Sequence, residues 1–153
     1  MYRCEWMVKQ LSKQKNKSNI TSPKNYQIKN KSGRPIKVDI LTYEIMGGNG
    51  VAALNTLNIQ RSAGYQGTTV IPLVNNGGTK NKYDIQKEFV RLANSQGDYD
   101  QMKGTGIKEI SFEFTGTADL SKLEEEQNYI ESKLTFKFIP LQMNGKTVEE
   151  INK

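Results

Sequence analysis

Ile107-Lys-Glu-Ile-Ser-Phe-Glu-Phe-Thr115 places Ile110, Phe112 and Phe114 on one side, and Glu109, Ser111 and Glu113 on the other. A period of two residues, with aromatic and β-branched residues on the apolar side, is the pattern of a half-buried strand. Tyr129-Ile-Glu-Ser-Lys-Leu-Thr-Phe-Lys-Phe-Ile139 repeats it: Ile130, Leu134, Phe136 and Phe138 face in, and Glu131, Lys133, Thr135 and Lys137 face out. Paired antiparallel, the two strands would set Glu109 and Glu113 against Lys133 and Lys137 on an exposed face. The four phenylalanines alternate as a core face does, unlike the exposed aromatics of an RNA-binding sheet.

Upstream, Ile36-Lys-Val-Asp-Ile-Leu-Thr-Tyr-Glu-Ile45 also reads as a strand. Its apolar phase flips between Ile40 and Leu41, which predicts a bulge or burial on both sides. Met46-Gly-Gly-Asn-Gly50 ends it in a turn. Val51 to Leu57 fits either a helical turn or part of a strand. Leu57–Arg61 and Thr68–Val74 read as two strands around Ser62–Gly67, with Pro72 placing the second at an edge or a bulge. Residues 83–95 carry Ile85, Phe89 and Leu92 at i, i+4 and i+7, which predicts a helix with Asn81 as N-cap and Gly97 as its stop. Asp98 to Gly106 is a loop, and Asp119–Glu126 holds one helical turn at most. Lys146 to Asn152 forms a terminal turn capped by Thr147. The expected fold class is α+β: a mainly antiparallel sheet, one principal helix and an extended basic N-terminal arm.

The chain has 153 residues, 35% hydrophobic and 25% charged, enough for one domain, or one domain plus an arm. No apolar run approaches the roughly 18 residues of a membrane-spanning helix, so no membrane partner is expected. Histidine is absent and cysteine occurs once, at Cys4. That excludes Ser-His-Asp and Cys-His catalysis, an intrachain disulfide and a thiolate zinc site. The opening Met1-Tyr-Arg-Cys-Glu-Trp-Met-Val-Lys9 does not read as a signal peptide. The expectation is a chain made in a reducing cytoplasm or assembled there. Three Asn-x-Ser/Thr triplets, at Asn16, Asn19 and Asn30, then count as chance.

Formal net charge is +6, unevenly placed. Residues 1–37 hold ten Lys or Arg and one acid (+9), and residues 38–153 hold twelve and fifteen (−3). Residues 1–35 therefore read as a basic arm, and 36–153 as a single slightly acidic domain. Lys13, Lys15, Lys17, Lys24, Lys29, Lys31 and Arg34 are interleaved with Asn, Ser and Gln, with almost nothing to bury. Tyr2, Trp6, Met7 and Leu11 supply an apolar anchor whose spacing suits one face of a short helix. Three readings stay open: an arm that meets a polyanion or acidic surface, a solvated tail, or an arm ordered along a neighbouring subunit. The candidate subunit-interface or polyanion contacts are Trp6 with those seven basic residues.

Motifs for chemistry are weak. Asn144-Gly-Lys-Thr147 imitates the end of a P-loop, but Pro140 stands where the motif requires Gly. Gly47-Gly-Asn-Gly50 lacks the spacing of a dinucleotide fingerprint. Asp98-Tyr-Asp100 offers two acids without a third cation anchor. Nothing unites a base, a nucleophile and an orienting group. The expectation is a non-enzyme without cofactor, metal or catalytic residues.

From about Tyr83 onward the layout resembles tail-terminator or neck (head–tail joining) proteins of tailed bacteriophages. The matching elements are Asp84-Ile-Gln-Lys-Glu-Phe-Val-Arg-Leu92, the loop to Gly106-Ile107, the strand Glu109–Phe114, an acidic linker, and the last strand Tyr129–Phe138. They cover roughly half the chain. Such proteins usually open with a helix, where this chain has its basic segment. The resemblance implies a non-enzymatic structural virion protein. It would form a homo-oligomeric ring at the head–tail junction or tail end, assembled in the host cytoplasm. Its partners would be tail-tube or connector proteins, with DNA passing through the channel. The alternative is a small basic nucleic-acid-binding module using the N-terminal arm.

Overall fold

Alternating segments with one apolar face each must cover that face, and here two sheets cover one another. The computed structural model describes residues 2–12, 19–22, 26–64, 67–75, 77, 80–123 and 127–152. Among them the chain forms strands β1 (Tyr2–Ser12), β2 (Asn19–Thr21), β3 (Tyr26–Lys29), β4 (Ile36–Gly47), β5 (Leu54–Gly64), β6 (Gly67–Val74), β7 (Lys82–Leu92), β8 (Glu109–Ala118) and β9 (Gln127–Pro140). A single turn of helix, α1 (Val148–Ile151), follows. One sheet has the order β1-β9-β4-β7, and the other β2-β8-β5-β6 with β3 also on β8. Every pairing is antiparallel.

β2 and β3 are two pieces of one strand position. β2 lies opposite Thr115–Thr117 and β3 opposite Glu109–Phe112. Between them the Ser22 hydroxyl accepts the Phe114 N–H at 2.7 Å, keeping the ladder satisfied across the break. Counted so, eight strand positions fill two four-stranded sheets. The chain alternates between the sheets except at the β5–β6 hairpin. That connectivity is the jelly-roll order, a sandwich of two Greek keys.

The main core is one cluster drawn from both sheets, and a smaller one of Ala93, Tyr99 and Leu141 lies beside it. Phe112 of β8 meets Phe136 of β9 and Phe89 of β7 across the sandwich, each with ring centroids 6.0 Å from its own. Tyr26 of β3 stacks on Phe112 at 5.4 Å. Such pairs add roughly 0.5–1.5 kcal/mol each to the area they bury.

Several expectations hold. The strands at 36–45, 57–61, 68–74, 107–115 and 129–139 are present, somewhat longer. The phase flip in β4 is a bulge: register shifts between Ile40 and Thr42 against both neighbours, so Val38, Ile40, Tyr43 and Ile45 are all buried. Pro72 lies on the edge strand β6, beside a register shift in its pairing with β5. Val51–Ala53 is a 3₁₀ turn and the strand begins at Leu54, which settles the choice left open there.

The fold is mostly antiparallel β, and the principal helix expected over 83–95 is a correction: those residues form the edge strand β7. The reason lies in two irregularities. Register against β4 shifts at Ile40/Thr42 and again at Val38/Asp39, and Gln86 takes a left-handed φ of 49°. Each extra residue advances the apolar phase by one. Ile85, Phe89, Val90 and Leu92 therefore reach the core from a strand, at spacings that mimic a helical face. Local content agreed with the strand all along, since Tyr, Ile, Phe and Val favour a pleated surface.

Two further expectations change. β8 and β9 do not pair; they lie in opposite sheets, because the eight residues between them cross the sandwich instead of turning back. Glu109 meets Lys29 of β3 at 2.9 Å, and Lys133 approaches Glu44 of β4 at 3.8 Å. The short helix read from Tyr2, Trp6, Met7 and Leu11 is also absent, for β1 runs as a strand along β9 from Tyr2↔Phe138 to Ser12↔Gln127.

Truncating Phe112 to Ala should lower the unfolding free energy by about 3–5 kcal/mol in urea titration, since the facing sheet cannot collapse onto the void. A loss under about 1 kcal/mol would mean the sheets are not packed through this ring. At Gly116 in β8 an added Cβ would overlap the Thr56 carbonyl oxygen, whereas Gly33 has open space. Gly116→Ala should therefore depress the midpoint far more than Gly33→Ala.

Candidate functional site

Asn30 and Asn94 decide how much of the basic segment is free. The buried Asn30 Nδ2 donates to the carbonyls of Arg34 and Ala93, both at 2.8 Å, while its Oδ1 accepts from the N–H and hydroxyl of Ser32. Asn94 Oδ1 accepts from the N–H groups of Gln96 and Asp98, and its Nδ2 donates to the Gly33 carbonyl. Two buried amides thus lock residues 30–35 onto the loop after β7. The sequence reading took this stretch as part of the basic arm, and the sequence held no sign of its distant partner.

Of the eight candidate arm contacts, Lys13, Lys15, Lys17 and Lys24 lie outside the described residues. Trp6 stands on β1 opposite Leu134. Lys29 is ion-paired with Glu109, and Lys31 is exposed in the turn. Arg34 Nε donates to the Leu141 carbonyl at 3.1 Å. The described part of the segment is therefore tied to the sandwich, and its candidate residues are spread along it.

The motifs set aside in sequence have structural duties. Thr147 is the N-cap of α1: its hydroxyl accepts the Glu150 N–H at 3.0 Å while Glu150 Oε2 accepts the Thr147 N–H at 3.0 Å. Asp98 Oδ1 accepts the Gly104 N–H and closes its loop. Tyr99, between the two acids, is buried against Leu141 and Ala93. Among the described residues no group of three His, Cys, Asp or Glu could hold a metal ion.

Arg91 of β7 clamps the chain's last turn. It binds both carboxylate oxygens of Glu150, the nearer through Nη2 and the other through Nη1 at 3.0 Å, and donates to the Gly145 carbonyl at 2.8 Å. Glu88 supplies a further oxygen at 2.9 Å. The hydrogen bonds from Glu150 push the guanidinium up, so Arg91 stays charged at any working pH. In return Arg91, then the Thr147 N–H, hold the Glu150 carboxyl down to about 2. Burial pushes the Tyr43 phenol up to about 12, which keeps it neutral and unsuited to base chemistry.

Among the described residues two sizeable clefts open on the surface. One, of about 590 Å³, lies on the outer side of the first sheet, where Lys37, Asp39, Lys137 and Glu149 mix the charges. The other, of about 760 Å³, lies where β6 and β7 end their sheets. Lys80, Lys82 and Lys87 line it with Asp84, Tyr83 and Pro72. The Tyr83 hydroxyl is engaged by the Gly77 carbonyl at 3.2 Å. The sequence reading missed this cluster because a helix over 83–95 turned Lys87 into a solvated face; Lys80-Asn-Lys82 just before it was the available signal. Among the described residues the large exposed apolar side chains, apart from Val70 on β6, fall at the two ends of the first sheet. Met46 and Tyr129 lie at one end of the first sheet, and Met143, Val148 and Ile151 near the other.

No family model, no curated protein and no solved structure matches this chain.

The Glu150 contribution is complete above the ordinary carboxylate value near 4.5 and is lost as pH falls towards about 2, since the folded state holds the group depressed. The protection factors of the amides of residues 150–152 should therefore fall across that window while those of β4 and β9 hold. Glu150→Gln should show the lowered protection already at pH 7; equal protection in the variant would refute the clamp.

Proposed function

We propose that the chain is a non-enzymatic structural subunit of a virion that assembles with copies of itself. The observation supporting this is the strand order, β1-β9-β4-β7 over β2/β3-β8-β5-β6. Sandwiches of this order serve as viral coat subunits, and also as lectin and cupin domains. That is an argument from fold analogy, and the chemistry of the chain narrows it. Without histidine the commonest metal ligand of a catalytic cupin is missing. The two clefts are lined by lysines, where a sugar site would call for aromatic platforms beside acceptors.

The surface favours repeated contacts. β7 carries its bulges and Lys82, Asp84, Lys87 and Glu88 on the open edge, which discourages edge-to-edge strand addition. Contacts between copies then fall to faces and loops. Two apolar groups at opposite ends of the first sheet suit a heterologous, head-to-tail contact, which closes into rings or shells. A ring at the head–tail junction or tail end, docked on tail-tube or connector proteins with DNA in its channel, is one form of this reading. One element of that resemblance, 84–92, is an edge strand and no helix, so the wider reading as a virion subunit is the one proposed.

Light scattering on a size-exclusion column, at low and high salt, should give a discrete mass of several subunits. Negative-stain images should then separate rings, which would favour the tail position, from closed shells, which would favour a coat. A monomer at all concentrations, with or without added DNA, would sink the proposal. Val148→Asp with Ile151→Asp should reduce the assembled fraction at least tenfold and leave the monomer's far-UV spectrum intact.

A further inference from the structure

Several strand lysines are matched by carboxylates. Lys29 has Glu109 at 2.9 Å, Lys37 has Asp39 at 3.4 Å and Lys133 has Glu44 at 3.8 Å. Lys80, Lys82 and Lys87 have no ion pair among the described residues, although all three line the one cleft of about 760 Å³. Glu44, the residue opposite Lys82 on β4, is the one Lys133 approaches. Lys87 stands opposite the core residue Ile40, so it turns towards the gap between the sheets. Asp84, opposite Thr42, is the single acid in the lining, leaving three cations to one anion.

We propose that this cleft binds the sugar–phosphate backbone of a single-stranded nucleic acid. Lys82 and Lys87 stand opposite Glu44 and Ile40, four residues or about 13 Å apart along β4, and Lys80 lies just before them in the chain. A row of that length suits a chain of phosphates, where a lone phosphate would need a cup of converging donors. Each ammonium is a compact point charge, adequate for a phosphate oxygen, and competition with poly-glutamate separates phosphate from carboxylate. The cleft is too small for a duplex to enter. Tyr83 is its aromatic, and that ring lies 6.4 Å from Tyr43 with its hydroxyl held by Gly77, so it is no free stacking platform. Recognition is therefore electrostatic and tolerant of sequence. The site is distinct from the basic segment at 13–34 and does not depend on assembly; a monomer would carry it.

The test is fluorescence anisotropy of the full chain with a labelled 20-nucleotide poly-dT, from 50 to 200 mM salt. Removing three phosphate contacts from a single strand should flatten the slope of log K against log salt by about 2, or about twentyfold less loss of affinity over that range. Lys80→Ala/Lys82→Ala/Lys87→Ala should show that flattening, and Lys29→Ala/Lys133→Ala should not. Asp84→Asn should tighten binding at low salt, which keeps the idea testable if the triple variant folds poorly. An unchanged slope in the triple variant, or a slope lost only with Lys13→Ala/Lys15→Ala/Lys17→Ala, would overturn the site. Displacement of the oligonucleotide by poly-glutamate at equal charge would overturn the assignment to nucleic acid.

Discussion

The structure depends on one contact between sheets: Phe112 of β8 against Phe136 and Phe89 of the facing sheet. Neither sheet has a second apolar face to offer. Across β4 and β9 the outward positions carry Lys37, Asp39, Lys133 and Lys137, and along β8 they carry Glu109, Ser111 and Glu113. Each sheet is therefore stable only while the other covers it, and the ring cluster at the centre supplies three of the largest buried side chains of that cover. The crossings between sheets, which make the jelly-roll order, follow from chain segments that must each find a place on one of two facing layers.

Strand existence was legible because period-two alternation is a local property. Glu109–Phe114 and Tyr129–Phe138 show it within ten residues, and the flip at Leu41 even exposed the bulge in β4. What failed was β7. Two inserted residues converted its alternation into spacings of three and four, and a spacing rule has no way to separate a bulged strand from a helix. Partner choice was also hidden. The acid and base rows on β8 and β9 complement each other in sequence, yet Glu109 found Lys29 and Lys133 found Glu44, because charge rows on exposed faces are too weak to dictate strand order.

The same misreading concealed the candidate site. Lys87 on a helix is one more solvated charge; on a bulged edge strand it lines a cleft with Lys80 and Lys82. The basic segment shows the reverse. Its composition suggested a free arm, but Asn30, Ser32 and Arg34 are stitched to the loops at 93–98 and 141 by hydrogen bonds between residues some sixty to a hundred positions apart. Composition reports how much a segment can bury, and says little about which amides and carbonyls it can satisfy at a distance.

The divided strand position of β2 and β3 bears on how this chain can change. Five positions after Thr21 the ladder on β8 resumes at Tyr26, and the Ser22 hydroxyl has already satisfied the Phe114 N–H that a continuous strand would have taken. Sequence added between Ser22 and Tyr26 would fall between the two ladders that β2 and β3 make with β8, at an entropic cost that grows only with the logarithm of its length. Variation in lineage, and peptides grafted for display, would find there a place where an insertion leaves the register of both ladders as it is.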